Sequence, residues 1–97
     1  MLDFLKNANI SDATISYINN NFSSNDIMAL SDNSDECLKI ISYFRKIGLN
    51  KIEELLINET YIFLKLYNRV IDKLSKYDIV SLVNDVNEDY TCIEKYM

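Results

Sequence analysis

The sequence has no histidine, no tryptophan and no proline, and it contains a single glycine among 97 residues. Histidine is the side chain that most often serves as a general base, a metal ligand or a proton shuttle near neutral pH, so its absence argues against imidazole-dependent chemistry. One glycine cannot build the glycine-rich loop that cradles phosphates. We therefore expect a protein that is not an enzyme and that has no cofactor and no metal site.

Cysteine is also scarce, and the apolar runs are short. Cys37 and Cys92 lie far apart without the CxxC spacing of a metal or redox site, so we expect two free, buried thiols. No apolar run approaches the roughly 20 residues that span a bilayer, and the first residues do not resemble a secretory signal. These features predict a cytoplasmic protein with no membrane partner. The abundance of Asn, Ile, Lys and Tyr, which have AT-rich codons, favours a bacterial or phage source.

The residues that are present predict one domain over residues 1–97. Hydrophobic residues make up 48% of the chain and charged residues 26%, which is typical of a soluble globular protein. A chain of this length buries enough surface for a single core without a metal or a disulfide.

Apolar residues recur with helical spacing along the chain. The clearest helix carries Cys37, Ile40, Ile41, Phe44 and Ile47 on one face and ends at Gly48. Its start has a possible capping box from Asn33 to Glu36, and a second box from Asn50 to Glu53 precedes a short helix.

Three further helices are predicted after the short one. The first places Phe63, Leu66, Val70 and Leu74 on one side, the second begins near Ile79, and a closing helix covers residues 89–96. Strict alternation of polar and apolar residues is absent, so strands are not expected. The fold class is therefore all-α.

Internal repetition is visible between several segments. Residues 56–64 match residues 85–93 at an offset of 29, and residues 4–10 match residues 43–49 at an offset of 39. We interpret the chain as about three degenerate helix-turn-helix units, at residues 1–33, 34–66 and 67–97. Because one helical pair is too small to bury its own apolar face, the units must share a core, either as a small right-handed-solenoid-like stack or as a compact bundle.

Residues 34–66 carry a resemblance to a known family. The segment from Ile40 to Leu49, the short helix that follows it and the segment from Asn58 to Leu64 resemble one repeat of the mitochondrial transcription termination factor type. The resemblance implies a repeat of two helices and a short third turn, joined by a Gly-Leu junction. It also implies an array that curves around nucleic acid.

Charge is distributed unevenly along the acidic chain, whose net charge is -5. Residues 39–76 have an excess of basic residues, whereas residues 1–38 and 77–97 are acidic. Lys65, Arg69 and Lys73 follow at helical spacing, and Lys76 comes three residues later, so a continuous helix would align all four on one flank. This flank is either a phosphate-binding track or a solvated face that Asp72 partly neutralises through Lys76.

The basic residues and two tyrosines form the candidate interaction surface. Partly exposed tyrosines are common at protein interfaces, although they also pack at the edge of a core. The candidate residues are Tyr43, Arg45, Lys46, Lys65, Tyr67, Arg69, Lys73 and Lys76.

We consider three functions. The first is a non-enzymatic module that binds another protein, or a second copy of itself. The second is nucleic-acid binding through residues 65–76, which the net charge disfavours. The third is an acidic inhibitor that blocks the basic groove of a nucleic-acid enzyme through Asp32, Asp35 and Glu36.

Overall fold

The structure, a computed structural model, describes every residue from Met1 to Met97 and contains helices but no strand. The α-helices are α1 (Phe4–Asn7), α2 (Asp12–Asn21), α3 (Ser24–Asp32), α4 (Ser34–Ile47), α5 (Ile52–Asn58), α6 (Tyr67–Leu74) and α7 (Ile79–Glu88). Two 3-10 helices follow α5 and α7, at Thr60–Leu64 and Tyr90–Lys95. The prediction of an all-α fold is confirmed.

Helix α4 is the longest and lies at the centre of the molecule, in contact with α1, α3, α5, α6 and the first 3-10 helix. Its predicted apolar face is buried apart from the half-buried Ile47, and Gly48 ends the helix in the left-handed conformation at φ 103°. The Leu49 amide then donates to the Phe44 carbonyl at 2.9 Å, as expected where glycine follows a helix. The predicted helix and its stop are confirmed.

The turn after α1 repeats this arrangement with a different residue. Asn9 has a φ of 58°, and the Ile10 amide donates to the Leu5 carbonyl at 3.1 Å. Asn tolerates the left-handed region better than most residues because its short polar side chain can bond locally. Residues 4–10 and 43–49, which match in sequence, therefore have the same local structure, while the division into three units stays a prediction.

Neither predicted capping box forms. The Asn33 side chain does not cap α4 but donates to the main-chain oxygens of Phe63 and Lys65, at 2.8 and 3.1 Å. Glu36 accepts a hydrogen bond from the amide of Tyr67, the first residue of α6, at 2.9 Å. Asn33 and Glu36 thus bind the end of the 3-10 helix and the start of α6, because helix ends have main-chain groups without a partner in the helix.

The second predicted capping box, from Asn50 to Glu53, is replaced by a contact between α5 and the start of α2. Glu53 accepts hydrogen bonds from the Ser11 amide at 3.2 Å, from the Ser11 hydroxyl at 2.6 Å and from the Thr14 hydroxyl. Ser11 is the N-cap of α2, so a carboxylate of α5 lies at the start of α2, where the helix dipole favours a negative charge.

The long helix predicted to run from Phe63 to Leu74 is wrong, because the chain breaks between the two residues. The 3-10 helix ends at Leu64, Lys65 and Leu66 are extended, and α6 begins at Tyr67. The bonds from Asn33 and Glu36 hold this break. Leu66, predicted on the apolar side, is consequently 54% exposed. The closing helix is a 3-10 helix over Tyr90–Lys95.

One continuous core of 22 buried residues joins all parts of the chain. Phe44 and Phe63 lie within it with ring centroids 5.7 Å apart, which confirms both as core residues. The radius of gyration is 12.8 Å, close to the roughly 13 Å of a compact 100-residue domain. The architecture is therefore a compact bundle. None of its helices has the length and apolar character needed to cross a membrane.

Candidate interaction surface

The basic residues around α6 lie together, although not on one helix as predicted. Helix α6 ends at Leu74, so it carries only Arg69 and Lys73, one turn apart. Lys65 lies in the extended segment before α6, and Lys76 lies in the turn after it. Lys65, Arg69 and Lys73 nevertheless line one depression of about 440 Å³, together with Asp72.

A second depression, of about 280 Å³, continues this surface towards the end of the chain. Lys73 lines it as well, and Lys76 and Lys95 join it there. The Lys73 ammonium also donates to the main-chain oxygen of Met97. We call the surface formed by Lys65, Arg69, Lys73, Lys76 and Lys95 the basic face.

The basic face has little internal counter-charge. Asp72 is the only acidic side chain that lines the two depressions. The single ion pair of the protein joins Lys39 and Glu36 at 3.3 Å and involves none of these cations, so the predicted pairing of Asp72 with Lys76 does not form. Four of the five cations therefore have no hydrogen bond or ion pair within the fold, and the fifth, Lys73, donates to a main-chain oxygen.

Two tyrosines stand at the edge of the basic face. The rings of Tyr77 and Tyr96 meet edge to face with centroids 4.9 Å apart, and both line the second depression. The Tyr96 hydroxyl donates to Asp85 at 2.6 Å, which raises the pKa of Tyr96 to about 12. This bond fixes Tyr96, and Tyr77 packs against it while remaining 44% exposed.

The candidate residues on α4 have different surroundings. Tyr43 is half-buried and packs edge to face on Tyr67, with centroids 6.2 Å apart, and burial raises the pKa of Tyr43. Arg45 lies about 200° around the helix from Tyr43 and donates to the Ala8 carbonyl after α1. The guanidinium of Arg45 therefore forms a hydrogen bond within the protein. Lys46 is exposed.

The structure also brings together two acidic side chains that sequence reasoning did not single out. Glu59, at the junction of α5 and the 3-10 helix, is only 6% exposed. Burial and the neighbouring carboxyl of Glu94 raise the pKa of Glu59 to about 7, against a smaller opposing effect of the Tyr61 hydroxyl. The two glutamates are far apart in sequence, so no local pattern could have identified them.

The acidic residues of the inhibitor hypothesis lie around another depression, of about 510 Å³. Asp32 and Asp35 are exposed there. The Glu36 carboxylate instead accepts hydrogen bonds from the Tyr67 amide and from the Lys39 ammonium, and these bonds lower the pKa of Glu36. No group of three acidic or cysteine side chains is placed to hold a metal ion.

Both cysteines are free, as predicted, but only Cys37 is buried, and Cys92 is half-buried. Cys37 is fully buried on α4, and burial raises the pKa of its thiol to about 12. Since the thiolate is the reactive form, Cys37 acts as a small core residue.

Comparison with known protein families, with curated proteins and with solved structures finds no match. The resemblance of residues 34–66 to mitochondrial transcription termination factor repeats therefore stays a prediction.

Proposed function

We propose that this protein is a non-enzymatic interaction module that binds an acidic segment of another protein through the basic face. The observation that carries the proposal is the charge arrangement. Five cations share one surface with a single acidic side chain, on a chain whose net charge is -5. A surface of opposite sign to the rest of the molecule selects acidic partners and fixes their orientation.

The tyrosines support a protein as the partner. Tyr77 offers a partly exposed ring that is held in place by Tyr96, and such rigid amphipathic rings are enriched at protein interfaces. The lack of histidine and the inert state of Cys37 also leave few groups for acid-base or nucleophilic chemistry.

A binding titration tests this function with a fluorescein-labelled acidic peptide that alternates Glu with Leu and Tyr. Two variants carry the same change in net charge: R69E/K73E on the basic face, and K6E/K46E elsewhere. We expect the wild type and K6E/K46E to bind alike, and R69E/K73E to bind at least about tenfold more weakly. Equal loss in both variants would show that only net charge matters and would overturn the proposal.

Nucleic-acid binding is the second candidate, and the proximity of Tyr77 to Lys73, Lys76 and Lys95 favours it. An exposed ring beside cations can stack on a base while the cations follow the backbone. The same titration with a labelled 20-nucleotide single strand separates the candidates. Binding of the strand that is tighter than binding of the peptide, and that weakens steeply as salt rises, would favour this function over the first.

A further inference from the structure

A groove distinct from the basic face lies where the corner between α2 and α3 meets α5 and the first 3-10 helix. It has a volume of about 400 Å³, and its apolar walls are formed by Phe22, Ile57, Tyr61 and Leu64. Tyr61 is 42% exposed and Leu64 39% exposed, although Ile62 and Phe63 between them are fully buried. The groove is large enough to take one or two apolar side chains of a partner.

The lining of this groove contains one acidic residue and no lysine or arginine. Asp26 lies on its rim, with Asn21, Ser23 and Thr60 as the other polar residues. Tyr61 also interacts with the buried Glu59, whose other close polar neighbour is the carboxyl of Glu94. Buried carboxylates are normally paired with a cation or with hydrogen-bond donors. Glu59 has the Tyr61 hydroxyl as a neighbouring donor, but its charged neighbour is a second acid and not a cation.

We propose that this groove binds a basic amphipathic segment of a partner protein. An apolar side chain of the segment packs between Phe22, Ile57 and Leu64. A neighbouring Lys or Arg side chain lies against the Tyr61 ring and pairs with the exposed carboxyl of Glu94, beside the buried carboxyl of Glu59. Because this surface has the opposite charge from the basic face, the protein can hold an acidic and a basic segment at the same time.

The proposal implies that binding depends on pH. The titratable groups that face Glu59 are Glu94 and Tyr61. A bound cation favours the ionised form of Glu59, whose pKa in the free protein is raised to about 7 by burial and by Glu94. Binding therefore releases a proton near neutral pH and becomes tighter as pH rises from 6 to 8.

Nuclear magnetic resonance tests the proposal on the full ¹⁵N-labelled chain. The probe is the synthetic peptide acetyl-Leu-Arg-Leu-Leu-Arg-amide, and the charge-reversed control is acetyl-Leu-Glu-Leu-Leu-Glu-amide. We expect saturable shifts of the amides of Phe22, Ile57, Tyr61 and Leu64 with the basic peptide only, at concentrations that leave the amide of Lys73 unchanged. Shifts with both peptides, or shifts confined to the depression around Asp32 and Asp35, would overturn the proposal.

Variants separate binding from folding. Tyr61→Ala should weaken binding of the basic peptide at least about tenfold, and Tyr61→Phe, which keeps the ring, should weaken it much less. Glu94→Gln should weaken binding and reduce its pH dependence, because burial alone still raises the pKa of Glu59, whereas the exposed Glu54→Gln on α5 should do neither. A Glu94→Gln protein that keeps the wild-type affinity and pH dependence would contradict the proposed role of the carboxyl pair. The basic face is intact in all of these variants, so their outcome is independent of the function proposed above.

Discussion

Phe44 is the residue on which the core depends most. It is fully buried on the central helix, and its ring meets Phe63 edge to face and Tyr43 at a tilt. Replacing it with Ala leaves a cavity that the neighbours cannot fill, so Phe44→Ala should lower the free energy of unfolding by about 3–5 kcal/mol. A domain of this size has a total stability of about 5–10 kcal/mol, so the variant should be barely folded at 37 °C.

Thermal melts followed by circular dichroism at 222 nm measure this effect. Lys73→Ala is the control, because Lys73 is exposed on α6 and its truncation should cost less than about 0.5 kcal/mol. Similar, small shifts of the melting temperature in both variants would mean that the buried face of α4 is assigned incorrectly.

Glu59 makes the folded state sensitive to pH. Its pKa is about 7 in the folded protein, raised by burial and by Glu94 from the ordinary value of 4.5. Between these two values the folded state binds more protons than the unfolded state, so the contribution of Glu59 is fully present below pH 4.5 and is lost as pH rises through 7. Glu59→Gln, which stays neutral, should therefore stabilise the protein by about 1 kcal/mol at pH 8, or roughly 5 °C in melting temperature.

The comparison of melting temperatures at pH 4.5 and pH 8 tests this assignment. The gain from Glu59→Gln should vanish at pH 4.5, and Glu54→Gln, at an exposed position on the same helix, should show no gain at either pH. A gain of equal size at both pH values would refute an ionisation effect, because it would arise from packing alone.

At the scale of the elements, helix ends are joined to each other by carboxylates and amides. Glu53 of α5 holds the first turn of α2 through Ser11 and Thr14. Burial opposes ionisation of Glu53, but these hydrogen bonds outweigh it and lower its pKa. Glu53→Ala should therefore cost about 1–2 kcal/mol at pH 7, the range for the loss of a helix cap and a charged hydrogen bond.

The pH dependence of the Glu53 contribution has the opposite sign from that of Glu59. A lowered pKa means that the contribution is present above about pH 4.5 and is lost as pH falls through the folded-state pKa. Urea unfolding of the wild type and of Glu53→Ala at pH 7 and at pH 3 measures the difference, with Glu54→Ala as the matched control. A cost that does not shrink at pH 3 would contradict the role of the carboxylate.

Local patterns predicted the elements well where the contacts that shape them are local. The periodicity from Cys37 to Ile47 and the single Gly48 were sufficient to place α4 and its end, because both effects act within a few residues. The break before α6 could not be predicted in this way. It is held by Asn33 and Glu36, which lie about thirty residues earlier and which the local sequence assigned to a cap of α4.

At the scale of the whole molecule, too, surface features that depend on local spacing were predicted, and those that depend on contacts between distant segments were not. The spacing of Lys65, Arg69 and Lys73 predicted cations that the structure does bring to one depression. Lys95 joins them only because the second 3-10 helix packs on α7 and brings the end of the chain beside α6. The carboxyl pair of Glu59 and Glu94 likewise depends on packing between distant segments, so charge spacing along the chain contains no signal for it.

The whole molecule has one core, which predicts a single unfolding transition. Leu5 of α1, Phe44 of α4 and Ile93 of the last 3-10 helix belong to the same buried cluster, so no unit can open without exposing the apolar face of another. Urea unfolding should therefore give the same midpoint by far-ultraviolet circular dichroism, which reports the helices, and by near-ultraviolet circular dichroism of the tyrosines. The m-value should be about 1–1.5 kcal/mol/M, in the lower part of the range for small proteins.

Tyr43 and Tyr96 lie in different predicted units. Their near-ultraviolet signals would separate from the helical signal if the units unfolded one at a time, as repeats joined only to their neighbours can do. Two distinct midpoints would thus favour a repeat array, and one midpoint requires that the predicted units act as one cooperative bundle.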